Sequence, residues 1–189
     1  PILKKMDENR ILFADLDGTI IREDLSNLAF INCLKKNPFK LLYYLFIFLF
    51  RGKPYLKEKI SKEFIVPINR LTFNKSVIKY IREVRNRHRV VYLISGSHQI
   101  LVDQIHQHLK LFFESFGTRE NFNMVGINKV KFIKGKLKII NFDYIGNSKK
   151  DLPIWRYCKK IIHTNASSNL KKIINKSNLD VIEVKENFN

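Results

Sequence analysis

The sequence predicts an α/β protein built on a parallel sheet, and three observations carry that prediction. First, short β-branched or aromatic runs at Ile11–Ala14, 89–94, 141–145 and Lys160–His163 have the length and composition of buried strands. Second, segments with helical apolar spacing lie between them, and strands alternating with helices form parallel sheets through right-handed crossovers. Third, three of the runs end in residues that can carry chemistry: Asp15-Leu16-Asp17-Gly18-Thr19, Ser95-Gly96-Ser97 and Gly146-Asn147-Ser148. Ligands bind α/β sheets outside the strand C-termini, so these tips form one candidate site.

At the first tip, Asp15 and Asp17 are two apart on an extended strand and start on one face. Gly18 allows a tight turn beside them. Two such carboxylates repel unless a cation sits between them, and Mg²⁺ prefers oxygen ligands.

Composition narrows the class. The chain has 189 residues, enough for one domain with a core and a small insertion. Lys and Arg number 35 against 17 acidic residues, a formal charge of +18, and 25 of the 35 are lysine. That balance suits an anionic substrate, an anionic membrane surface or nucleic acid. The basic residues are scattered, and no zinc-finger spacing or RNA-binding aromatic box is present, which counts against nucleic acid. Cys33 and Cys158 lie far apart without CxxC spacing, so neither a disulfide framework nor a zinc site is indicated. Pro1 to Asp7 lack a signal-peptide pattern, and a reducing, cytoplasmic setting is the expectation.

After the first tip a helix is expected from Asp24 or Ser26, with Leu25, Leu28, Ala29, Ile31 and Leu34 as its apolar stripe and Asn37-Pro38 as its stop. Residues 39–50, FKLLYYLFIFLF, contain ten uninterrupted apolar residues flanked by Lys35, Lys36, Lys40, Arg51 and Lys53. A membrane span needs about 20 residues. The segment reads either as a core helix, the preferred expectation, or as an aromatic helix touching an anionic membrane. Beyond Gly52-Lys53-Pro54, helices are expected over 56–64 and 74–87, the latter with Val77, Ile78, Ile81 and Val84 inward.

At the second tip, Ser95 is expected beside the free amides of a helix running from about His98 to Leu109, as a phosphate ligand or a helix cap. His98 then stands within reach of a substrate, and His106 and His108 read as surface residues. A strand over 111–116 is expected to end at Gly117-Thr118, with Lys129, Lys131, Lys134 and Lys136 beyond it. After the strand at 141–145, Asn147 and Asp151 offer oxygen donors, though an amide brings no charge. A helix at 170–174 and a strand at 181–184 complete the chain.

These motifs, in this order, resemble those of the haloacid dehalogenase-like superfamily, mostly phosphohydrolases. The resemblance rests on DLDGT at 15–19, Ser95 after an apolar strand, a lysine beyond it, and GNSKKD at 146–151. It implies a three-layer, Rossmann-like parallel sheet with a small helical cap inserted after the first strand. The core would be 1–24 and 88–189, and the cap 25–87. It further implies Mg²⁺-dependent hydrolysis of a phosphomonoester through an aspartyl-phosphate. Asp15 would be the nucleophile and Asp17 the general acid and base. Thr19, Ser95 and Gly96 would hold the phosphate together with a lysine, for which Lys129 is the best match while Lys131, Lys134 and Lys136 stay open. Asp15, Asp17, Asn147 and Asp151 would carry the metal, with Asn147 departing from the acid usual at that position.

GNSKKDLPIW, followed by Thr164-Asn165-Ala166-Ser167, is similar to the domain found ahead of UbiA-family prenyltransferases, which are integral membrane enzymes. That implies a phosphorylated small-molecule or polyprenyl-linked substrate, a membrane surface or membrane prenyltransferase as partner, and a cytoplasmic place at or tethered to the membrane. The alternative from another class is a non-catalytic docking or regulatory module of such a system.

Overall fold

A computed structural model describes residues 10–188, so Pro1 to Asp7, read above for targeting signals, lie outside the described residues. Its strands are β1 (Ile11–Ala14), β2 (Val91–His98), β3 (Glu114–Thr118), β4 (Phe142–Gly146), β5 (Lys160–His163) and β6 (Asp180–Glu183). They form one six-stranded sheet in the order β3-β2-β1-β4-β5-β6, with every pairing parallel. The helices are α1 (Leu25–Lys36), α2 (Lys40–Lys62), α3 (Lys75–Asn86), α4 (Gln99–Leu109), α5 (Ile127–Lys131), α6 (Leu152–Trp155) and α7 (Ser168–Asn175).

Strand alternation divides the core into two layers. Leu12, Ala14, Leu93 and Ile145 face α1, α2, α3 and α4 on one side, whereas Phe13, Ile94, Tyr144 and Ile161 face α5, α6 and α7 on the other. Helix starts follow side-chain capping. Asp24 accepts from Asn27 N at 3.0 Å, Asn74 from Val77 N at 3.3 Å, and Ser167 from Leu170 N at 3.3 Å.

The structure corrects several expectations. The third strand begins at Glu114, not Leu111, because Leu111 and Phe112 turn into the core and Phe113 N donates to Val91 O at 2.8 Å. Ile31 is half exposed, and Cys33 takes the buried place on α1. Helix α3 buries Val77, Ile78, Ile81 and Val84 in the layer that holds Leu12 and Leu93.

The largest correction concerns residues 41–50. They are helical, but only Tyr44 and Ile47 are buried, and the segment is not a core helix. α2 continues past it through a break at Gly52, whose φ of 77° is left-handed backbone that glycine adopts without strain.

Opposite the strand tips, Asp143 is fully buried between two arginines. Arg10 Nε donates to Oδ1 at 2.9 Å and an Arg89 guanidinium nitrogen donates to Oδ2 at 2.5 Å. This pair of forks ties the starts of β1, β2 and β4 together. Removing one side of a buried ion pair leaves uncompensated charge. Asp143→Ala is therefore expected to lower the free energy of unfolding by about 3 kcal/mol, read from urea denaturation.

Candidate active site

The chain leaves β1 toward one edge of the sheet and returns through β4 on its other side, so a crevice opens where their ends diverge. A cavity of about 410 Å³ occupies it, with Asp15, Asp17, Lys129, Asn147 and Asp151 among its walls.

The turn after β1 is tight. The amides of Thr19, Ile20 and Ile21 all donate to Leu16 O, at 3.1, 2.9 and 3.2 Å. Gly18 sits there with φ 77°, and a Cβ on it would fall 2.3 Å from Asn147 Nδ2. The Asn147 carboxamide is thus packed directly on the first loop.

Asp15 is buried, and Lys129 Nζ donates to its Oδ1 at 2.6 Å. Among the described residues Oδ2 has only a long contact, from Thr19 Oγ1 at 3.4 Å, and is the freer oxygen. Lys129, itself buried, also donates to Tyr144 OH at 2.8 Å, and Tyr144 OH donates to Asp151 Oδ1 at 2.8 Å. One relay of polar groups therefore joins Asp15 to Asp151. Of the four candidate lysines, Lys129 is the one that reaches the carboxylates.

Asp17 turns the other way. Its Oδ2 accepts from Ser95 Oγ at 2.6 Å and Ser97 Oγ at 3.0 Å, and its Oδ1 accepts from Leu25 N at 2.8 Å. The start of α1 thus points an amide at this carboxylate, a favourable dipole arrangement. When Asp17 carries a proton, Ser97 Oγ can accept a hydrogen bond from it by turning its own hydrogen to Ser26 Oγ, 3.1 Å away.

Ser95 is not at a helix N-terminus. β2 runs on to His98, and the helix begins at Gln99 with His98 as its cap. Ser95 is fully buried and bonded to Asp17, so it positions that acid. His98 is likewise buried in capping, with Nδ1 accepting from Ile100 N at 3.3 Å, and does not line the cavity. Thr19 is fully buried, while Gly96 does line the cavity. The Gly96 carbonyl accepts from Thr118 Oγ1 at 2.7 Å and from Lys57 Nζ.

Asp151 is committed to local structure. Its Oδ1 accepts from Tyr144 OH at 2.8 Å, and its Oδ2 accepts from Asn147 N at 3.1 Å, Ser148 N at 2.9 Å and Ser148 Oγ at 3.2 Å. It holds the loop that presents Asn147. Among the described residues no three His, Cys, Asp or Glu side chains group so as to hold a metal ion. The oxygen donors nonetheless fit Mg²⁺, which keeps several waters and needs few protein ligands. Asp15 and the Asn147 amide supply accessible oxygens at the cavity, with less charge than two or three acids would bring.

Sequence reasoning missed Tyr144, Ser97 and Lys57. Ser97 had a signal, since it shares a strand face with Ser95 as Asp17 does with Asp15. Tyr144 passes for an ordinary core residue of a strand, and Lys57 is one lysine among 25. Lys57 reaches the cavity wall from α2, donating also to Asn123 Oδ1 at 3.2 Å, and burial pushes its pKa down to about 8.

No protein-family profile matches the sequence. An uncharacterized protein of Sinorhizobium fredii, y4nM, is 30% identical over 149 residues, covering 79% of this chain. The chain spans only 28% of the length of that relative. A protein of unknown function from Bordetella pertussis Tohama I superposes with a TM-score of 0.68 over 93% of this chain and 99% of its own, at 13% identity. Phosphoserine phosphatase in its apo form does so with a TM-score of 0.60 over 94% and 95%, at 18% identity. Other matches include a phospho-aspartyl intermediate analogue of phosphoserine phosphatase and a haloacid dehalogenase-family hydrolase. The fold is therefore the Rossmann-like α/β fold of the haloacid dehalogenase superfamily. Several of these structural neighbours are themselves phosphatases or hydrolases.

Burial raises the Asp15 carboxyl to about 7, with Lys129 opposing and Asp151 and Asp17 adding to the rise. A carboxyl whose folded pKa lies above its unfolded value adds stability below the unfolded value and loses it as pH rises through the folded one. Asp17 is raised in the same sense, mainly by burial. In EDTA, stability is expected to fall between about pH 4 and pH 7 through these groups, and Asp15→Asn to flatten that slope, measured by urea midpoints across pH. Tyr144→Phe breaks the relay while preserving shape, and is expected to cost about 1–2 kcal/mol in the same assay.

Proposed function

We propose that this chain is a Mg²⁺-dependent phosphohydrolase that cleaves a phosphomonoester through an aspartyl-phosphate on Asp15. The observation that carries the reading is the arrangement at the tip of β1. A buried carboxylate whose second oxygen has only a long contact sits 2.6 Å from a buried lysine, and a second, raised carboxyl stands two residues away on the same cavity wall.

Asp15 Oδ2 attacks phosphorus in line, and the bond to the leaving oxygen breaks. Asp17, whose raised pKa favours holding a proton, gives it to that oxygen. Asp17 then takes a proton from water, which attacks the aspartyl-phosphate, releases inorganic phosphate and restores Asp15. Lys129 holds Asp15 and offsets phosphoryl charge from the side opposite its free oxygen. Gly96 at the cavity wall, with Thr19 and Ser95 behind it, keeps the phosphate subsite and the two acids in register. Mg²⁺, on Asp15, the Asp17 carbonyl and Asn147, would neutralise charge on the phosphoryl oxygens. Asp151 holds the Asn147 loop for that purpose.

α1 and the part of α2 past Gly52, whose Ser26, Asn27, Lys53 and Lys57 line the cavity, supply the lid that keeps bulk water from the acyl phosphate. The substrate is a phosphorylated small molecule or a polyprenyl-linked phosphate, and the whole protein works on the cytoplasmic side beside a membrane prenyltransferase. Support for that setting is the GNSKKDLPIW resemblance. The alternative is a non-catalytic docking module. The uncharged Asn147 and the four bonds already made by Asp151 favour it.

Release of phosphate from p-nitrophenyl phosphate and a panel of phosphomonoesters, in Mg²⁺ and in EDTA, tests the assignment. Metal-dependent turnover is expected, falling on the order of 10³-fold or more in Asp15→Asn. Turnover by Asp15→Asn at the rate of the unaltered chain refutes the mechanism. A folded chain with no turnover on any of the panel favours the docking module.

A further inference from the structure

We infer that the outer face of residues 39–50 is a docking surface for an anionic lipid bilayer, on which the protein lies without crossing it. Phe39, Leu42, Phe46, Leu49 and Phe50 follow helical spacing down one side, and Leu42, Phe46 and Phe50 are 76%, 58% and 70% exposed. Leu41, Tyr43, Leu45 and Phe48 widen the stripe, each about half exposed. Scattered apolar surface residues are ordinary, but a contiguous patch of this kind marks an interaction surface.

Charge selects the occupant. From Leu25 to Lys57 the sequence holds no Asp or Glu and six cations: Lys35, Lys36, Lys40, Arg51, Lys53 and Lys57. Lys40 pairs with Glu63, and Arg51 approaches Glu120 at 3.8 Å, but exposed Lys35, Lys36 and Lys53 form no ion pair with an acid among the described residues. An apolar stripe bordered by cations matches an anionic interface, where each basic residue near the surface adds to binding. Two copies meeting face to face would instead bring like charges together on chains of formal charge +18.

Length fixes the depth. The eleven helical residues 40–50 extend about 17 Å, against a hydrocarbon core of about 30 Å. No helix among the described residues is long and apolar enough to cross a membrane. The helix therefore rests in the interface plane. Past Gly52 the same helix carries Lys53 and Lys57 to the wall of the active-site cavity.

The test is co-sedimentation of the 189-residue chain with vesicles of phosphatidylcholine alone, or of phosphatidylcholine mixed with phosphatidylglycerol. Binding is expected on the anionic vesicles and to weaken with salt. The double variant Phe46→Ser, Leu49→Ser, with folding checked by circular dichroism, is expected to lower partitioning by about tenfold or more. Lys35→Gln with Lys36→Gln is expected to reduce the preference for anionic vesicles. No binding by the folded chain, or binding unchanged in the Phe46/Leu49 variant, overturns the inference. A dimer in solution that this variant dissolves, with no vesicle binding, assigns the face to a second copy and also overturns it. Asp15→Asn should bind vesicles like the unaltered chain, and the Phe46/Leu49 variant should hydrolyse p-nitrophenyl phosphate at the unaltered rate. Docking and catalysis can therefore fail separately.

Discussion

A carboxylate buried at the end of the central strand is costly unless other groups compensate its charge, and much of the site meets that one demand. Asp15 is held by the Lys129 ammonium, which is itself buried and leans on Tyr144 and, through it, Asp151. Asp17, two residues on, is served by a different set: two serine hydroxyls from β2 and the first amide of α1. The two acids therefore sit in unlike surroundings, one facing an ammonium and one facing neutral donors. Divergent environments of this kind let two neighbouring carboxyls take different chemical roles.

The sheet order is what brings these partners together. Because β1 lies between β2 and β4, its tip receives side chains from both flanking crossovers. Ser95 and Ser97 come from β2, while Tyr144, Asn147 and Asp151 come from β4 and the loop after it. At the far ends of these strands Asp143, gripped by Arg10 and Arg89, fixes the same three strands against one another. One end of the sheet is held by a closed ion cluster, and the other keeps an open one.

Helix α2 joins two surfaces of different character. Its first part spends only Tyr44 and Ile47 on the core and leaves its remaining large apolar side chains outside. Its second part, redirected at Gly52, lays Lys57 against the Gly96 carbonyl on the cavity wall. The hinge between them is a left-handed glycine, so the direction of each half is set by backbone stereochemistry as well as by packing.

The sequence by itself determined the α/β class, the strands at 11–14 and 160–163, the inward stripe of α3, and the gathering of chemical residues at strand ends. These are local matters: period, propensity and turn chemistry act over a few residues. Lys129 was legible only as the best of four lysines, and its 2.6 Å contact with Asp15 spans 114 positions of chain. Tertiary structure alone decided that Ser95 serves Asp17, that Asp151 braces Asn147, and that Tyr144 links Lys129 to Asp151. It also decided that 41–50 faces outward, where hydrophobicity had favoured the core. An apolar run states that a segment avoids water, but not which surface will cover it. That depends on how much room the sheet face has left once α1, α3 and α4 have packed, a quantity no short stretch of sequence contains.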